Sequence, residues 1–193
     1  MIRAKWMRYD ERTNALDNLA KCYWHIKTVE KEKQNWKWVI ITLHSAIYGF
    51  AISACRGTNS HSVIEKTKAG TDRLINFGEA IKRCENPLIM RADIDYQDYK
   101  FSKQQKDSIR RLHKVFRNNF EHFTPKFWSI ELHEMPQMIL DCLEVVRMLV
   151  IHPDVALRLK TSEFKKAKSY IYNCKKIITN SKLYKETLNP TKE

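Results

Sequence analysis

Residues 36–55, WKWVIITLHSAIYGFAISAC, carry no charge beyond Lys37. A helix on the surface of a globular protein shows a polar stripe, whereas this run is apolar nearly all round, as expected for a helix at the centre of a bundle. Residues 38–55 are close to the shortest length that spans a bilayer. Thr42, His44, Ser45, Tyr48, Gly49 and Ser53 interrupt the apolar surface, and a buried core helix is the better reading than membrane insertion. Arg56-Gly57-Thr58-Asn59-Ser60 then supplies turn chemistry, with Gly57 placed to cap the helix.

Amphipathic segments lie on both sides of this run. Residues 14 to about 33 place Leu16, Leu19, Tyr23 and Ile26 at three- and four-residue steps, the period of a helix with one buried face. A third helical stretch is expected from residue 71 to about 84, with Leu74, Phe77 and Ile81 on one face and Glu85-Asn86-Pro87 as its stop. Residues 88–101 have no clear period and read as an irregular connection. Ser102 and Gln105 have the spacing of a capping box, which predicts a helix start at Ser102. That helix carries Ile109, Leu112, Phe116 and Phe120 on one side and Lys103, Lys106, Arg110, Arg111, Lys114 and Arg117 on the other. Pro125 limits it to an end near His122 or Phe123. A further helix is expected from about Pro136, with Ile139, Leu143, Val146 and Val150 buried and His152-Pro153 closing it. With four Gly and five Pro in 193 residues, breakers are scarce, and the fold class expected is all-α.

Thirty-five basic residues against 22 acidic ones leave a net charge of +13, a surplus suited to nucleic acid or an anionic membrane surface, or serving solubility alone. From residue 158 to 185 there are nine Lys or Arg and one acidic residue, Glu163. Phe164, Ala167, Ile171, Cys174 and Ile178 recur there at helical spacing, so the tail reads as a basic amphipathic helix. Its lysines either extend a nucleic-acid groove or face water while the apolar stripe docks. Cys22, Cys55, Cys84, Cys142 and Cys174 form no Cys-x-x-Cys, and an odd, scattered set reads as buried reduced thiols of a cytoplasmic protein, with no metal or cofactor expected. Residues 1–6 have neither an apolar core nor a small-residue cleavage site, so no secretory signal is expected. Scarce glycine leaves no phosphate-cradling loop.

The chemistry concentrates in Arg117-Asn118-Asn119-Phe120-Glu121-His122. Arginine binds phosphate by charge and paired hydrogen bonds, and histidine moves protons near neutral pH. On a regular helix Arg117 and His122 point roughly 140° apart. They meet at one phosphate only if the helix ends or kinks at His122, or if a twofold dimer joins Arg117 of one chain to His122 of the other. Asn118 and His122 share a face, and Asn118 is placed to orient the imidazole or touch a phosphate. Arg117 and Glu121 have the spacing of a simple ion pair. Arg110, Arg111, Lys114 and Lys126 flank the motif and either track a phosphate backbone or form a solvated face. His113, four residues before Arg117, is a second histidine on that side, with no chemical task as its plainer reading. Phe123, Phe127 and Trp128 either stack on unpaired bases or anchor a loop, the latter favoured for Trp128.

The segment 117–122 resembles the Arg-x4-6-His signature of HEPN domains in its common form with Asn after Arg. The longer run 117–131 is similar to a HEPN-like subfamily of bacterial plasmids and chromosomes. The likeness in layout extends from about residue 36 to 150 and not into the tail. It implies a HEPN-like up-and-down bundle of four to five helices over residues 1–152, dimeric, with residues 153–193 as a separate basic helix and tail. It further implies a metal-independent endoribonuclease in which Arg117 binds the scissile phosphate and His122 transfers a proton. The 2′-hydroxyl would attack its own phosphate, leaving a 2′,3′-cyclic phosphate and a 5′-hydroxyl. The partners implied are single-stranded RNA, a second copy of the chain, and an antitoxin or other partner protein in a toxin or defence setting. Some HEPN domains instead only bind RNA or a protein partner, and that alternative stays open.

Overall fold

The computed structural model describes residues 5–90, 100–122, 125 and 127–188. Phe123, Thr124 and Lys126 lie outside the described residues, as does most of the expected irregular connection. The described chain is predominantly helical.

Helix α1 (Glu11–Ile26) begins three residues earlier than its apolar period suggests. Asp10 is the reason: its carboxylate accepts the backbone N–H groups of Arg12 at 3.1 Å and Thr13 at 2.8 Å, while the Thr13 hydroxyl accepts the Asp10 N–H at 2.8 Å. Burial raises the Asp10 pKa, but hydrogen bonds from the Thr13 backbone and from the Arg12 and Thr13 side chains outweigh it and bring the pKa to about 2. A carboxylate depressed in the fold stabilises above its ordinary value of 3.8, and that contribution is lost as pH falls through about 2. Asp10→Ala is therefore expected to cost about 1 kcal/mol at pH 7. The difference from wild type should shrink markedly by pH 2, as urea titrations at the two pH values would read.

Helix α2 (Asn35–Arg56) is the central element, with Val39, Ile40, Leu43, Ala46, Ile47, Phe50, Ala51 and Ala54 fully buried. It has the length and composition of a membrane span, yet 78% of its apolar window is buried inside the fold. Gly57 ends it at φ 45°, in the region open mainly to glycine.

The stretch expected as a helix from residue 71 corrects to a hairpin followed by a shorter helix. A 3₁₀ turn (Ser60–Val63) leads into β1 (Ile64–Lys66), which pairs antiparallel with β2 (Asp72–Leu74) in the register Ile64↔Leu74 and Lys66↔Asp72. Gly70 at φ 78° turns the chain, and Thr67 and Thr71 close the loop by a 2.8 Å backbone bond. Leu74, counted with the apolar face, sits half-exposed on the strand. Helix α3 (Phe77–Arg83) starts only after Asn76, whose side chain accepts the Glu79 N–H at 3.0 Å.

After α4 (Pro87–Met90), the expected capping box at Ser102 starts α5 (Lys103–Arg110): Ser102 Oγ accepts from the Gln105 N–H at 3.1 Å, and Gln105 Oε1 accepts from the Ser102 N–H at 2.8 Å. The same rod continues as a π-helical segment (Arg111–Arg117) and returns to α-helix in α6 (Asn118–Glu121). Then come α7 (Met135–Ile151), α8 (Pro153–Ala156), α9 (Thr161–Asn180) and α10 (Lys182–Leu188).

Helix α1 packs most extensively on α2, and α9 packs on both α1 and α7. Ala167, Ile171, Cys174 and Ile178 of α9 join the same core cluster as α2 and α7, while Lys165, Lys166, Lys168 and Lys176 face solvent. All five cysteines are buried free thiols. Helix α5 packs on α7, and the π segment packs on α2.

Candidate functional site

Arg117 closes the π segment with its side chain about a quarter exposed. One guanidinium nitrogen, Nη1, donates to Asn118 Oδ1 at 3.1 Å, and Nη2 forms an ion pair with the Glu121 carboxylate. Nε is buried with no hydrogen-bond partner among the described residues. An orphaned guanidinium N–H is costly, because a buried charged donor loses its hydration without compensation. His122 is where the helix stops. Its backbone N–H still donates to the Asn118 carbonyl at 2.8 Å, but at φ −108° and ψ 69° the chain has left the helix and the residue is exposed. The helix end at His122 is present in this single chain, but among the described residues no hydrogen bond joins the His122 and Arg117 side chains, whose guanidinium is held by Asn118 and Glu121.

The π pitch brings a residue the sequence reading passed over. His44, in the middle of α2, has Nε2 3.0 Å from Nδ1 of His113, with the two ring planes within 12° of each other and 5.1 Å between centroids. Phe77 of α3 lies against both, 4.1 Å from His44 and 4.7 Å from His113. Burial, then His113, then Arg117 push the His44 pKa down to about 3, so His44 is neutral at pH 7. Burial, then Arg117 and Lys114 lower that of His113 as well. Arg117 thus lies within electrostatic reach of two uncharged imidazoles. The available signal was one imidazole in an otherwise uncharged core run, which helical periodicity absorbs into the core.

The basic residues around the motif are less free than their spacing implies. Arg110 meets Asp107 at 3.5 Å, Lys106 meets Glu85 at 2.8 Å, and Arg111 pairs with Glu134 of the loop before α7. Lys114 is exposed. Exposed pairs of this kind contribute about 0–1 kcal/mol, so a phosphate can replace the carboxylate at little cost. Trp128 anchors its loop: its ring stands edge-on to Phe120 at 5.0 Å and lies 6.2 Å from Phe116. Phe127 is fully exposed. A cleft of about 1150 Å³ lined by Lys103, Asp107, Arg111, Glu134, Asp141 and Tyr184 shares Arg111 with the basic face but does not include Arg117.

No family model matches the chain, and no curated protein or solved structure matches it.

Proposed function

We propose that the protein is a HEPN-like, metal-independent endoribonuclease that cleaves single-stranded RNA with Arg117 and His122. The observation that carries this reading is the local setting of Arg117, a guanidinium whose buried Nε has no partner among the described residues, five positions before a histidine at a helix end. In the cleavage, the RNA phosphate displaces Glu121 from Arg117, Asn118 orients its neighbours, and His122 serves in proton transfer. Arg110 and Arg111 guide the backbone by exchanging their carboxylates for phosphates, and Lys114 and Lys126 add positive charge along the chain. The bundle of α1, α2, the α5–α6 rod, α7 and α9 would be of the up-and-down HEPN type, dimeric and cytoplasmic. It would act as a toxin or defence effector held by an antitoxin or other partner protein.

The test is cleavage of a single-stranded RNA in excess chelator. The expected products carry 2′,3′-cyclic phosphate and 5′-hydroxyl ends, and His122→Ala is expected to lose about 10²-fold or more of the rate while keeping its melting curve. Equal rates for wild type and variant would reject the assignment.

The Arg117–Glu121 pair favours a second reading, a non-catalytic module that binds RNA or a protein. That module predicts salt-sensitive RNA retention without cleavage and no effect of His122→Ala.

A further inference from the structure

We propose that His113 is the general base of this site and His44 its positioning residue, an inference that rests on the ribonuclease reading above. Attack by a 2′-hydroxyl moves two protons. As the bond from the 2′-oxygen to phosphorus forms, the hydroxyl proton must leave. As the bond from phosphorus to the 5′-oxygen breaks, that oxygen must gain a proton. A single imidazole serves one of these events at a time, and His113 supplies the second.

The geometry favours His113 for the first step. Its Nδ1 is held 3.0 Å from Nε2 of His44, and Phe77 stacks on its plane, so the ring is oriented before any substrate arrives. With Nδ1–H donating to His44, the lone pair of the ring lies on Nε2, which has no hydrogen-bond partner among the described residues. When Nε2 takes the 2′-hydroxyl proton, the resulting imidazolium keeps donating Nδ1–H to His44. His44 remains an acceptor because burial, His113 and Arg117 hold it neutral. It is 6% exposed and has no route to substrate, so it acts through His113 alone. Arg117, whose charge reaches both rings, discourages a resting proton on His113 and thereby keeps the base in its working form. His122, exposed at the helix end, then delivers a proton to the departing 5′-oxygen. His113 has gained one proton and His122 has lost one, and exchange with water restores both.

The experiment uses full-length protein with two versions of one single-stranded RNA, one natural and one with sulfur in place of the bridging 5′-oxygen at a single cleavage site. A thiolate leaves without being protonated, so the second substrate needs the base and not the acid. His113→Asn keeps an amide where Nδ1 meets His44, and His113→Gln is the companion variant should Asn fail to fold. Expected is a loss of about 10²-fold or more on both substrates for either folded variant, against recovery of His122→Ala on the sulfur substrate alone. His44→Phe should lower the rate less than His113→Asn, with KM unchanged. Variants of His113 that cleave the natural RNA within a few fold of wild type overturn the inference and leave the ribonuclease reading standing. Rescue of His113→Asn by the sulfur substrate overturns its role as base. Wild-type protein that cleaves neither substrate overturns both readings together.

Discussion

Lowering the pH from 7 to 4 is expected to destabilise the fold by on the order of 3 kcal/mol through His44 alone. The folded pKa of about 3 lies below the ordinary value of 6.5, because protonation would place a charge inside the core between Phe77 and His113 with Arg117 nearby. In the unfolded chain the ring takes its proton near 6.5, so below that pH the unfolded state binds more protons and stability falls. The loss begins below 6.5 and stops growing below about 3, where the folded ring is protonated too. His113, His152 and His25 are shifted in the same direction, so their contributions add to that of His44. Urea unfolding of wild type and His44→Gln at pH 7 and pH 4 isolates the residue. The variant should lose clearly less stability over that interval, and equal losses would show that the acid sensitivity lies elsewhere.

Gly49→Val is expected to cost more than about 3 kcal/mol, at or beyond the upper end of ordinary overpacking, and to leave little folded protein. A Cβ built at Gly49 would stand 2.7 Å from the Glu11 carbonyl oxygen and 2.8 Å from Ala15 Cβ, both on α1. Neither atom can rotate away, since one is backbone and the other is a side chain of one carbon. Relief requires α1 to move off α2 along the most extensive interface of the molecule. Even Gly49→Ala, which gains about 1 kcal/mol in helix propensity, should be net destabilising. Thermal melts of the two variants check this, and an Ala variant as stable as wild type would refute it. Gly70, with nothing near its Cβ position, is the control for the effect of losing glycine without crowding, although its φ of 78° carries its own strain.

Much of the helical skeleton was legible because its signals are local. Ser102 and Gln105 announce a cap, Gly57 ends α2, and Ile139, Leu143, Val146 and Val150 mark the buried face of α7 as the period requires. The hairpin was not legible for the opposite reason. Leu74, Phe77 and Ile81 happen to fit a helical period, while the true register is set by the Thr67–Thr71 closure and by the Asn76 cap. The site was half legible. Arg117, Asn118 and His122 stand out by residue type, and the ion pair of Arg117 with Glu121 follows from spacing. The His44–His113 contact joins residues 69 positions apart, and only the folded chain brings them together. A 100° advance per residue also fails across the seven residues of the π segment.

That wide segment gives the rod two allegiances. Before it, Gln104 and Ser108 hydrogen-bond to Asp141 on α7; within it, His113 turns to His44 on α2. A uniform α-helix keeps one azimuth along its length and would face one neighbour with one stripe. The change of pitch works as a phase shifter, so a single continuous helix docks on α7 by its first half and turns to α2 in its second. Deleting one residue inside the segment would remove the extra residue that the wider winding accommodates, restoring uniform pitch with the downstream half still turned to α2. The rod is therefore expected to tolerate a one-residue deletion best where its winding is loosest.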